Sequence, residues 1–372
     1  MKHKNYKVAL IHDFLREYGG AERVLETLHD MFPSAPVYVA FLDKQALGVH
    51  WSRFQDWDIR QTWFAKIPLH NFFYSPLRFL APKAFQSLNL SDYDVIISSS
   101  NAFEAKAVKT KNKNHFCYCH TPPRALYGYS TMSDWKKNPV IKFFGQLINH
   151  YMRVIDFEHA QRVDQFIANS QETQQRIKKF YKRDSRVIYP PVSLVLSAST
   201  LLKIKQDSSQ DYYFYVGRLG LQKHPELAVQ ACNKLGVKLK VAGTGQMLEE
   251  LQGMANNNIE FLGAVSDAEL AKLYAGAKAL LYPVEDEDFG IVPVEAMLAG
   301  TPVIAHRSGG PQYTVQDRVN GILFEDLTVK GLVEAIQQFE RLRKNFSPKK
   351  IQDSAQKYSQ ENFKKQILNL IS

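Results

Sequence analysis

Four charged side chains in the second half of the chain have the types and separations needed to hold a phosphorylated sugar. Arg218 and Lys223, with four residues between them, flank a loop where a strand passes into a helix. There they can grip a diphosphate, the guanidinium as a fork and the ammonium as a point charge. Glu287 and Glu295, with seven residues between them, bracket Phe289-Gly290 in the stretch EDFGIVPVEAMLAGTPVI, where Pro293 marks the first turn of a helix. A glycine loop ending in a helix start offers backbone N–H groups and a positive dipole end to an anion, and the acids on either side can hold hydroxyls. A plainer alternative makes Glu295 a favourable first-turn acid and Glu287 one of a solvated run, Glu285-Asp286-Glu287-Asp288. In the first half His120 ends an apolar strand just before Thr121-Pro122-Pro123, a place where catalytic side chains sit in doubly wound sheets. It can equally be a loop histidine capping its own backbone.

These residues require a particular set of elements. Tyr6–His12 reads as a strand running through the turn Tyr18-Gly19-Gly20 into a helix from Ala21, and Asp94–Ser100, His115–His120 and Val163–Ala168 read as further strands. Asn169-Ser170 caps a helix over Gln171–Tyr181. Pro190-Pro191 ends the first domain, and residues 195–210, rich in Ser and Lys, read as a surface connection. The pattern then restarts. Strands over Tyr212–Val216, Lys238–Ala242, Ile259–Leu262, Ala279–Pro283, Val303–Ala305 and Gly321–Phe324 alternate with helices, and Gly243-Thr244-Gly245 and Gly309-Gly310 fill the turns. Alternation of this kind in both halves gives an α/β protein of two doubly wound domains. As metal ligands, His115, Cys117, Cys119 and His120 lack a clear fourth-ligand loop, since strand alternation puts the first three on one face.

The sequence has 372 residues, enough for two buried cores, and a net charge of +10 that is unevenly placed. Up to Pro190 there are 27 Lys and Arg against 17 Asp and Glu, and after it 20 against 20. A basic half beside a neutral half suggests that the first domain faces something anionic, such as a membrane surface, a lipid phosphate or a nucleic acid. Three cysteines make no disulfide framework and suit a reducing compartment. The apolar run Val8–Ile11 is too short for a signal-peptide core, and no run of eighteen apolar residues exists, so any membrane contact should be peripheral. Trp57–Leu90, dense in rings and spaced bases (Trp63, Phe72, Phe73, Arg78, Phe79, Lys83), reads either as an interfacial stretch or as an internal helical pair.

Taken together, Gly19-Gly20, His120, Gly217-Arg218 with Lys223, Gly243-Thr244-Gly245 and Glu287–Glu295 resemble a family 4 retaining glycosyltransferase of the GT-B fold over nearly the whole chain. More narrowly, CYCHTPPR, FIANS, VIYPPV and EDFGIVPVEA resemble the bacterial O-antigen and capsule mannosyltransferases. The resemblance implies two Rossmann-like domains with a cleft between them: an acceptor domain over 1–190, a nucleotide-sugar domain over 191–352, and a helix in 353–372 returning to the first. It implies that Arg218 and Lys223 neutralise the donor diphosphate, helped by the helix end at Phe289, Gly290 and Ile291. Glu295 is expected on the ribose, Glu287 on the hexose, Asp288 elsewhere in the donor site, and Ala264, Val265 and Ser266 around the base. Gly243 is expected to line the donor site, Gly19 and Gly20 to cover the phosphates, and His120 to meet the sugar. Arg124 and Tyr127 are expected on the acceptor side. No metal and no other cofactor is implied. The donor is expected to be GDP-mannose and the acceptor a saccharide on a polyprenyl diphosphate, at the cytoplasmic face of an anionic membrane, with no nucleic acid involved. Two positions depart from the family pattern, Ser193 where many relatives carry Asp and Tyr313 where Glu is usual.

Other functions remain open on the sequence. Asp286-Glu287-Asp288 has the form of the metal-binding DxD of GT-A enzymes. A UDP-sugar donor, a sugar-nucleotide epimerase and a basic membrane- or nucleic-acid-binding protein are the further alternatives.

Overall fold

The computed structural model describes residues 6–110, 114–129, 139–207 and 211–371. Within them the chain divides into two compact units, one of residues up to Pro191 together with those from Gln360, the other of Val192–Ser359. The first holds seven strands: β1 (Val8–His12), β2 (Val37–Val39), β3 (Ile59–Gln61), β4 (Val95–Ser100), β5 (Asn114–Cys119), β6 (Gln165–Ala168) and β7 (Ser185–Val187). Their order is β3-β2-β1-β4-β5-β6-β7, every neighbouring pair parallel. The second unit holds β8 (Tyr213–Val216), β9 (Leu239–Ala242), β10 (Ile259–Gly263), β11 (Leu280–Tyr282), β12 (Val303–His306) and β13 (Gly321–Phe324), ordered β10-β9-β8-β11-β12-β13 and again parallel throughout.

A parallel sheet needs helices on both faces, so its central strands carry no polar alternation. β1 (VALIH) and β4 (VIISSS) are buried at every position. Val8 and Leu10 enter one core and Ala9 and Ile11 the opposite one. In each sheet the strand order reverses once, between β1 and β4 and between β8 and β11. Loops leaving the carboxyl ends of such a pair diverge, and the crevice they open is where doubly wound sheets take ligands.

Two expectations need correction. The stretch after the linker is a helix, Ala198–Asp207, rather than a surface connection, while residues 208–210 lie outside the described ones. Leu201 and Lys205, two residues of its inner face, are buried. The return to the first unit comes at Gln360, not 353, because the helix Pro348–Ala355 stays with the second unit, where Gln352 Nε2 donates to the carbonyls of Leu298 (2.8 Å) and Ala198 (3.2 Å). The helix Gln360–Ile371 then places Phe363, Ile367 and Ile371, at i, i+4 and i+8, in the core that contains Val8 and Leu10.

Candidate active site

In the second unit the reversal between β8 and β11 brings two of the expected residues into contact. Lys223, in the turn after β8, forms an ion pair with Glu287 Oε2, in the loop after β11. Both side chains keep part of their surface in solvent, 31% and 19%. Each is braced by a tyrosine from its own strand. The Tyr282 hydroxyl donates to Glu287 Oε2 at 3.0 Å, and the Tyr215 hydroxyl donates to the Lys223 carbonyl at 3.0 Å. Burial, and then the Glu287 charge, push the Tyr282 phenol well up, so it stays a donor. Arg218 lies exposed in the same β8 loop.

The glycines of these loops serve close backbone approach. Leu219 N–H donates to Thr244 O (2.9 Å), Met247 N–H to Leu219 O (3.1 Å) and Gly243 N–H to Gly263 O (2.7 Å), which zips the loops after β8, β9 and β10 together. A Cβ on Gly243 would lie 1.9 Å from the Gly217 carbonyl oxygen. The Glu287 loop is pinned in the same way. Gly310 N–H donates to Glu287 O at 2.6 Å, Asp286 N–H donates to Ser308 Oγ at 3.2 Å, and buried Phe289 meets Tyr358 edge-on at 5.5 Å. Gly290, left-handed at φ 84°, turns the chain into the helix Ile291–Leu298, whose first-turn N–H groups have no partner within the helix.

Glu295 differs from expectation. It is the fifth residue of that helix, beyond the first turn, and 3% exposed, with Oε2 accepting from the Tyr274 hydroxyl at 2.8 Å. A role as a simple first-turn acid is therefore removed, and any ligand it takes must reach a buried carboxylate already bonded to Tyr274. Of the stretch expected around the base, Ala264 and Ser266 are exposed, Val265 is half-buried, and Ser266 caps the helix Asp267–Gly276 by accepting from Glu269 N–H at 3.2 Å.

In the first unit His120, just past the end of β5, reaches toward the other reversal through Ser99 of β4. Its Nε2 lies 2.8 Å from Ser99 Oγ, Ser99 Oγ lies 3.0 Å from His12 Nδ1, and His12 Nε2 lies 3.4 Å from Glu22 Oε1. His12 and Ser99 are paired residues at the ends of β1 and β4. Burial, and then the neighbouring His12, hold the His120 imidazole down at about 3, so it is neutral. The Gly19 N–H is taken by Glu22 Oε2 at 2.8 Å within a capping box, so it is not offered outward. Asp13 accepts from the N–H groups of Asn101, Phe103 and Ala105 at 2.8–2.9 Å and fixes the loop after β4.

The Tyr127 hydroxyl, expected on the acceptor side, donates to buried Asp156 at 2.5 Å while its ring stacks on Phe180 at 4.1 Å. Arg124 is the other residue expected there; it begins the same loop, its carbonyl accepting from Tyr127 and Tyr129 N–H. Of the metal-ligand candidates, His115 Nε2 is bonded to Ser98 Oγ at 2.8 Å and the Cys117 thiol is pushed up to about 12 by burial. The 57–90 stretch is split. Phe64 and Phe85 are core and Arg78 is inward, donating to Asn149 Oδ1 at 2.6 Å, while Phe72 (79% exposed), Phe73 and Leu69 face outward. Tyr215, Tyr274, Tyr282, Ser99, His12 and Glu22 escaped the sequence reading. For four of them the available signal was a polar or hydroxyl residue at the last or next-to-last position of β1, β4, β8 and β11.

Residues 18–196 match the family described as Glycosyltransferase Family 4, and residues 202–361 match that described as Glycosyl transferases group 1. The uncharacterized glycosyltransferase MJ1607 of Methanocaldococcus jannaschii is 32% identical over 168 residues, 42% of this chain and 43% of that protein. The D-inositol 3-phosphate glycosyltransferase of Segniliparus rotundus is 29% identical over 184 residues, 44% of this chain and 41% of that one. These matches span less than half the length of the curated relatives. In fold, the chain is similar to Anabaena Alr3699/HepE, solved in complex with UDP and glucose, with a TM-score of 0.71 over 99% of both chains at 20% identity. The two family matches take in nearly the whole sequence and each falls on one parallel-sheet unit, so the chain belongs to the family 4 glycosyltransferases of the GT-B fold.

Proposed function

We propose that this chain transfers a hexose from a nucleoside diphosphate sugar to a saccharide carried on a lipid diphosphate, with retention at the anomeric carbon and without a metal. The observation that carries the reading is the Lys223–Glu287 pair, braced by Tyr215 and Tyr282, beside a helix start at a sheet reversal. A fixed cation and a helix dipole aimed at one point stabilise the charge that grows on a departing diphosphate, and Arg218 adds a second cation. Glu287, held next to Lys223, takes hydroxyls of the transferred hexose. The acceptor hydroxyl attacks on the leaving-group face and its proton passes to the departing phosphate oxygen, so no carboxylate nucleophile is required. Asp286-Glu287-Asp288 is not read as a metal site, because Lys223, paired with its middle carboxylate, and Arg218 already supply the positive charge that a metal would bring. The lipid-linked acceptor is supported by the basic excess of the first half and by the outward rings of Phe72 and Phe73.

Mannose from GDP-mannose is the donor we favour, on the mannosyltransferase-like motifs. UDP-glucose is the second reading, favoured by the fold neighbour solved with UDP and glucose. Thermal shift with GDP-mannose, UDP-glucose, UDP-GlcNAc and UDP-galactose separates them, since a ligand at 100 times its Kd adds about 2.7 kcal/mol. One donor should raise the midpoint with EDTA present and fail to do so in Lys223→Ala. No shift with any of the four, or binding that needs Mn²⁺, sinks the proposal.

A further inference from the structure

The chain of contacts from Glu22 to His120 can carry hydrogens in only one direction if His12 is neutral. Glu22 is a buried carboxylate and therefore an acceptor; one oxygen takes the Gly19 N–H, and the other faces His12 Nε2. Across their 3.4 Å separation Nε2 is the donor, since the carboxylate can only accept. Nδ1 of His12 is then the lone-pair nitrogen and accepts from the Ser99 hydroxyl at 3.0 Å. Having spent its hydrogen there, Ser99 Oγ must accept from His120 Nε2 at 2.8 Å. The pivot of the His120 ring is fixed as well. Its N–H donates to Ser100 O at 3.0 Å and its carbonyl accepts from Thr173 Oγ1 at 3.1 Å. Nδ1 of His120 has no partner among the described residues.

We propose that Glu22, His12 and Ser99 are positioning residues that lock His120 as the neutral Nε2–H tautomer and present its Nδ1 as a hydrogen-bond acceptor for a hydroxyl of the donor sugar. The tautomer rests on the contact geometry with His12 neutral, whereas its use rests on the proposed transfer and on the expected place of His120 against the sugar. His120 therefore works as an orienting acceptor and not as an acid. The relay crosses two neighbouring strands of the sheet reversal, Ser99 of β4 meeting the ring and His12 of β1 meeting Ser99.

The test is the ¹⁵N spectrum of histidine-labelled full chain, with the His120 signals identified by their loss in His120→Gln. Wild type and Ser99→Thr should show the proton on Nε2, and Ser99→Ala should show both tautomers. A proton on Nδ1 in wild type, or an unchanged pattern in Ser99→Ala, overturns the relay. In donor hydrolysis with GDP-mannose and UDP-glucose, Ser99→Ala should lower kcat on the order of 10-fold and leave KM in place, with recovery in Ser99→Thr. A shifted tautomer with unchanged kcat supports the relay and overturns the placement of His120 against the sugar, which keeps the two ideas separable.

Discussion

Replacing Lys106 by Met should be among the most damaging single changes in the first unit, although no ligand contact is expected of Lys106 itself. Its ammonium donates to Glu104 Oε2 at 2.8 Å and to Asp156 Oδ1 at 2.5 Å, and all three side chains are shut off from solvent. Around them stand His159, 3.6 Å from Glu104, the hydroxyls of Tyr127 and Tyr181 on Asp156, and inward-facing Arg78. Removing one member of a buried ion pair costs about 3–5 kcal/mol, because the partner charge is left uncompensated. Here two carboxylates are left. Burial, then Glu104, already push Asp156 up to about 7 despite the lysine, and loss of the ammonium raises it further. A carboxyl whose folded value lies above its unfolded one, about 3.9, contributes stability at low pH that is lost as pH rises through the folded value. The deficit of Lys106→Met should therefore be largest at pH 8, near 3–5 kcal/mol, and shrink toward pH 5, where Asp156 takes a proton. Urea unfolding read by tryptophan fluorescence isolates the right unit, because Trp51, Trp57, Trp63 and Trp135 all precede the second one. Adding Asp156→Asn should restore part of the loss, since it removes one orphaned charge and keeps an acceptor for Tyr127. A deficit under about 1 kcal/mol at pH 8, or one that grows toward pH 5, would refute the account.

Other outcomes are expected from the second unit. Glu287→Ala and Lys223→Ala should each lower transfer on the order of 100-fold or more while shifting stability by under about 1 kcal/mol, the pair being partly exposed; normal turnover in either variant removes the assignment. Gly243→Ala, with φ +127° and the Gly217 carbonyl in the way, should cost about 3–5 kcal/mol. Its loss should appear in circular dichroism as an early transition, with the tryptophan transition unmoved. Burial, aided by Arg343, pushes the Lys205 ammonium down to about 7. Its contribution is full above the unfolded value of about 10.4 and is lost as pH falls through 7, so wild type should gain on Lys205→Met between pH 7 and 10 in thermal midpoints.

The sheets were legible because buried parallel strands announce themselves as apolar runs, and the loops because glycine and proline punctuate them. The Lys223–Glu287 meeting could be anticipated from the place of each after its own strand. The His120 relay could not. Its members come from Ser99, 21 residues away, and from His12, 87 residues from Ser99, and only the sheet reversal makes them neighbours. The burial of Lys106 and Glu104 was hidden in the same way, since charged residues are almost never fully buried unless paired, and the pairing with Asp156 spans 50 residues. Ala198–Asp207 was hidden by its serines and lysines, whose apolar partners occupy one narrow face.

The helix Gln360–Ile371 carries a consequence for synthesis. Phe363, Ile367 and Ile371 fill the core of the unit whose seven strands were made first, yet the ribosome delivers them only after all of Val192–Ser359. The second unit, contiguous in sequence, can complete its fold on emerging. The first must wait with part of its β1–β4 core uncovered, so the half of the chain that is born first is finished last.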